Sequence, residues 1–250
     1  MEFNKQTSTV RSSASEAIID QGLRSYMLKV YNYMASGVLL TGFIALAFFK
    51  MAVVTSDGGQ IVGLTNFGNT IYASGLKWVI MLAPIGMVFF FAAKLHSMAS
   101  STAQIVFWIY AALMGLSLSS IFLVYTGESI TRVFFIAAGM FAGTSLYGYT
   151  TKKDLTGMGS FLFMGLIGIL IASVVNIFLA SSALQFAISV IGVLVFAGLT
   201  AYDTQSIKNE YRESDDGETQ AKKSIHGALR LYLDFINLFI MLLSLFGNRE

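Results

Sequence analysis

Leu231-Tyr232-Leu233-Asp234-Phe235-Ile236-Asn237-Leu238-Phe239-Ile240-Met241-Leu242-Leu243-Ser244-Leu245-Phe246-Gly247 is nearly all apolar, yet it carries an aspartate. On a helix at about 100° per residue, Asp234, Asn237, Met241, Ser244 and Asn248 fall along one stripe. The rest of the circumference is Leu, Ile and Phe. Such a segment meets lipid or packed core on most sides and turns one polar line inward. A carboxylate in that setting costs about 2.5–3.5 kcal/mol on insertion scales, so it faces the bundle interior or a water cavity and has a partner.

The preceding apolar segment supplies a partner. It ends Leu199-Thr200-Ala201-Tyr202-Asp203-Thr204-Gln205. Asp203 lies near the end of one helix and Asp234 near the start of the next. Antiparallel neighbours bring the two to similar depth. This pair is the candidate functional centre, with Asn237 and Ser244 extending it as a polar stripe.

Composition sets the class. The chain has 250 residues, 55% of them hydrophobic and 12% charged, with mean hydropathy +0.68. Soluble domains carry about 25% charge. Seven segments have the roughly 17–25 mostly apolar residues that a spanning helix needs: about 28–49, 78–93, 103–125, 132–149, 160–180, 184–205 and 228–246. The expected fold is an all-α integral membrane protein with seven transmembrane helices. A polar N-terminal tail, 1–27, precedes a transmembrane domain, 28–250. That tail is broken by Arg11, Glu16, Asp20 and Arg24 and lacks the early apolar run of a secretory signal.

Between the fifth and sixth segments only Ala180–Ala183 turns the chain, so a single re-entrant hairpin competes with two spans there. Pro84, the only proline, should kink the second segment. Gly139 and Gly143 form a G-x-x-x-G match, and Gly165, Gly168 and Ala172 a small-residue face, both suited to close helix approach. The Gly-rich stretch 51–76 reads as a loop. The mixed-charge stretch 206–227 reads as a solvated connector, with a continued sixth helix or a partner surface as alternatives.

Basic residues orient the chain. With the N-terminus cytoplasmic, twelve of the sixteen Lys and Arg lie inside, and only Lys50, Lys77, Arg132 and Arg249 outside. The C-terminus is then outside, and both aspartates lie toward the cytoplasmic face.

Several chemistries are excluded or disfavoured. There is no cysteine, so no disulfide or thiolate chemistry. No lysine sits mid-helix for a Schiff base, and no H-E-x-x-H or P-loop occurs. The net charge of +2 is too small to suggest nucleic acid. Catalysis and a bound cofactor are not expected.

Two close carboxylates cannot both ionise cheaply, and they titrate as a unit. Sharing a proton, they clasp two helices together. Doubly ionised, they repel and become an oxygen site for a hard cation such as Ca²⁺. The alternative is a structural role, with each aspartate solvated or paired to Lys94 or Arg230. Lys94 and His96, at the end of the second segment, are candidate cationic partners of the pair.

Gly198-Leu199-Thr200-Ala201-Tyr202-Asp203-Thr204-Gln205-Ser206-Ile207-Lys208, followed by Gly227-Ala228-Leu229-Arg230-Leu231-Tyr232-Leu233-Asp234-Phe235-Ile236-Asn237-Leu238-Phe239, resembles the signature of the Bax inhibitor family of membrane proteins. The resemblance extends over about residues 24–247. It implies six helices wrapped around a central C-terminal helix and a pH-sensitive passive calcium leak sensed by an aspartate dyad at Asp203 and Asp234. Family members can carry an arginine near the end of the second helix; Lys94 is the nearest equivalent here. A bacterial inner-membrane location is expected, with lipid and calcium ions as partners. A second reading is a regulatory protein that binds a membrane protease or acts in a stress or survival pathway. A proton-coupled transporter is a third.

Overall fold

The computed structural model describes the backbone of residues 3–56, 60–94 and 97–249, and side chains from residue 21 onward, Ala92 apart. Seven long helices run in chain order. They are α1 (Phe3–Ala52), α2 (Leu76–Lys94), α3 (Ser100–Leu118), α4 (Gly127–Thr150), α5 (Thr156–Leu179), α6 (Ser182–Glu210) and α7 (Gly217–Phe246). Six of the described helical stretches are long and apolar enough to cross a membrane, and a bent pair makes a seventh span. The all-α, seven-span expectation therefore holds.

Helix ends follow local chemistry. Thr126, Ser181 and Asp216 each accept a backbone N–H from the first turn of α4, α6 and α7, which satisfies a donor that the helix itself cannot. Ala180 stops α5 in the left-handed region, at φ 49°. With 24 residues in α5 and 29 in α6, each helix is at least about 36 Å long. The Ala180–Ala183 turn thus joins two full spans, and the re-entrant hairpin is excluded.

The last helix is the core. More than half of the α7 span is buried, against 17% for α5. α1, α3, α4 and α6 pack directly on α7, while α2 leans on α3 and α5 on α6. The central helix is thus wrapped by four neighbours, with two outer helices behind them. Exposed Phe161, Phe163, Met164 and Phe178 on α5 show why that helix is outermost: its surface suits lipid tails.

Tyr26 and Met27 on α1 are buried. Three sequence expectations change. The 51–76 loop folds into a hairpin, β1 (Val53–Thr55) against β2 (Ile61–Leu64), followed by two short helical turns over Asn66–Ala73. The second span breaks by 60° between Ala73 and Leu76, at Ser74–Gly75, while α2 continues through Pro84. The charged stretch 206–227 is mostly helix, because α6 extends to Glu210 and α7 starts at Gly217. Only 211–216 connects them.

Glycine packing is also relocated. A side chain on Gly139 or Gly143 would meet nothing within 4 Å. The close approach of α4 is instead at Gly148, where a Cβ would lie 2.1 Å from the backbone oxygen of Ala201 on α6.

Candidate functional site

The antiparallel packing of α6 on α7 places Asp203 beside Asp234. Asp203, Arg230 and Asp234 line one cavity. Arg230 precedes Asp234 by one turn of the same helix. Its Nη2 donates to Asp203 Oδ1 at 2.5 Å and its Nη1 to Glu210 Oε1 at 2.8 Å. The guanidinium fork therefore spans two carboxylates about two turns apart on α6. The Arg230 and Asp203 side chains are 21% and 14% exposed, so the pair is mostly shielded from solvent.

Asp234 is 6% exposed, and its Oδ2 is buried with no hydrogen-bond partner. A buried acceptor without a donor costs free energy. The Asp234 residue borders a cavity of about 670 Å³ between α5, α6 and α7, lined also by Asp203, Arg230 and Asn237 and otherwise mainly by apolar side chains.

Supporting contacts fix the helices around this point. Tyr31 on α1 bonds Ser145 on α4 at 2.7 Å, and Ser145 bonds Thr204 on α6 at 2.9 Å. Deeper in the bundle the Tyr232 hydroxyl meets Thr41 at 2.6 Å, and Thr41 donates to the Ala111 carbonyl. At the other end of α7, Ser244 accepts from Ser189 and from Gln185, and Asn176 donates to Gln185.

Of the residues singled out in the sequence, Asp203, Asp234 and Asn237 converge on one cavity. Ser244 belongs to the polar cluster at the opposite end. Lys94 is exposed at the end of α2, a helix that packs on α3, and the ion pairs found among the described residues do not include it. His96 lies outside the described residues. The cation on the dyad is Arg230, which sequence reasoning had placed only in the structural alternative. Its signal was present: Arg230 and Asp234 are four apart and share a helix face. Glu210 was missed, because it was counted with the charged connector.

Among the described residues no three acidic or imidazole side chains gather to hold a metal. Two carboxylates, one of them engaged by Arg230, fall short of the about 6–8 oxygens that Ca²⁺ prefers.

Fold and site together define a polytopic α-helical membrane protein with an acidic pair, Asp234 buried and Asp203 bound by Arg230. The family model described as inhibitor of apoptosis-promoting Bax1 matches residues 23–250. The chain is 46% identical over 244 residues to the inner membrane protein YbhL of Escherichia coli, covering 96% of this chain and 99% of that protein. It is 48% identical over 244 residues to a protein of Rickettsia prowazekii, covering 98% of each, and 43% identical over 257 residues to one of Caulobacter vibrioides, covering 100% of this chain and 99% of that one. The chain belongs to the Bax inhibitor family.

Proposed function

We propose that this protein is a passive, pH-sensitive calcium leak of a bacterial inner membrane, gated where α6 meets α7. The observation that carries the reading is the contact of Arg230 with Asp203 beside the buried Asp234, whose Oδ2 has no hydrogen-bond partner. Arg230 pairs with Asp203 and Glu210, and Asp234 lies one turn along its own helix. With a proton shared between the aspartates, the group is compact and holds α7 against α6. With that proton lost, the two like charges repel at low dielectric, the α6–α7 seam loosens, and anionic oxygens face the cavity. Calcium is then cargo and not a resident ligand.

The name of the Escherichia coli relative, an inner membrane protein, supports that location. The distribution of basic residues supports a cytoplasmic N-terminus and an external C-terminus, which sets the dyad toward the cytoplasm. On this reading no bond is made or broken and no cofactor is used.

Purified protein in vesicles loaded with a calcium indicator tests the proposal. Flux should rise with pH across about pH 6 to 8 and lose that dependence in Asp203→Asn and Asp234→Asn. Identical flux from the wild type, both variants and protein-free vesicles over this range overturns it. The family's description as an inhibitor of Bax1 favours a second reading, a regulator of another membrane protein. Deleting residues 1–20 separates the two: flux survives on the first reading, and partner binding is lost on the second.

A further inference from the structure

We propose that the ion route follows the α6–α7 seam and is closed in this structure by Met241 seated on Gly192. The inference rests on the leak reading and adds the place where the path is shut. The dyad cavity ends on α7 at Asn237 and is bounded on α6 by Phe196. Seven residues after Asn237, Ser244 is hydrogen-bonded to Ser189 at 3.0 Å and to Gln185 at 3.3 Å. Two polar ends of one seam are thus separated by about 10 Å of helix.

Met241 lies on the same stripe of α7 between them. A Cβ on Gly192 would come within 2.7 Å of its sulfur and 2.8 Å of its Cγ. The absence of a side chain at 192 is what lets the thioether lie flat on α6. A hydrophobic constriction of this length gates by excluding water. Methionine is unbranched and adapts its shape, so a small separation of α6 and α7 unseats it.

The natural absence of cysteine permits single-thiol probing. Asn237→Cys and Ser244→Cys are placed singly in the full chain. Each is reacted with a membrane-impermeant maleimide in membrane vesicles of both orientations. The expected result is that the thiol from Asn237→Cys reacts from one face only and that from Ser244→Cys only from the other. Adding Met241→Ala should make each thiol reactive from both faces, with the far-side rate up by about tenfold; Met241→Leu should restore one-sidedness. Leu233→Cys and Ser189→Cys replace either probe if it fails to fold. If Met241→Ala protein elutes as a single folded species and labelling stays one-sided, the closed point is not Met241. Both thiols reacting from one face in the parent also overturn the proposal. Labelling as expected with no calcium flux in any variant leaves the closed point standing and removes the leak reading. Flux that is present while labelling ignores Met241→Ala does the reverse.

Discussion

The guanidinium of Arg230 contacts Asp203 across the α6–α7 seam at 2.5 Å, one helical turn from Asp234, the other member of the acidic pair. A cation on the same helix as one aspartate therefore neutralises the other. Glu210 shares that cation at 2.8 Å. Among the described residues the ion pairs to Asp203 and Glu210 come from α7 alone.

Arg230→Ala should destabilise the protein by about 2–3 kcal/mol, because two charge-assisted hydrogen bonds are lost and Asp203 is left without its counter-ion. On the leak reading it should also raise calcium flux at neutral pH. Arg230→Lys should recover only part of the stability, since an ammonium cannot span both carboxylates as the planar fork does. Thermal unfolding in detergent alongside vesicle flux measures both effects.

Gly148→Ala should lower stability by about 1–3 kcal/mol. The added methyl meets the backbone of Ala201, which cannot turn aside. Gly139→Ala, on the same helix and facing open space, should be neutral or slightly stabilising, because alanine is the better helix former. Equal unfolding temperatures for the two variants contradict the α4–α6 approach described here.

Tyr232→Phe should lower stability by about 1 kcal/mol through loss of the bond to Thr41. Thr41 keeps its bond to Ala111, so the loss stays small. Tyr232→Ala should cost about 3–5 kcal/mol, because the ring is fully buried against Phe107 and Tyr110. Chemical or thermal unfolding of the two variants gives the comparison.

Asp216, which caps α7, is held below the ordinary carboxylate range by its hydrogen bonds to Thr219. A depressed carboxyl contributes stability above its unfolded value and loses it as pH falls through the folded one. Wild type should therefore unfold at a higher temperature than Asp216→Ala at neutral pH. The gap should narrow as the pH drops below about 4. A gap that stays constant with pH assigns the effect to something other than the carboxylate.

Much of the site was legible before folding. Asp203 and Asp234 stand out because a carboxylate in an apolar helix is costly, and their places at adjoining helix ends imply similar depth. Arg230 was visible on the same stripe, but so was Lys94 at a comparable membrane end. Which of them reaches the pair depends on whether α2 packs on α6 or on α3, a question of helix order that periodicity does not address. The G-x-x-x-G at Gly139 misled for a related reason: the motif marks a helix able to approach closely, not the neighbour it approaches.

Amino-acid order alone determined the apolar segments, their all-helical character and the two aspartates at one end of the last pair, because these rest on local period and transfer cost. Tertiary structure decided that α7 is the buried axis, that α2 and α5 stand outside the inner ring, that the second span breaks at Ser74–Gly75, and that Arg230 clamps Asp203. Those outcomes depend on which helix surfaces meet across long stretches of chain, and that choice is made by packing many faces at once.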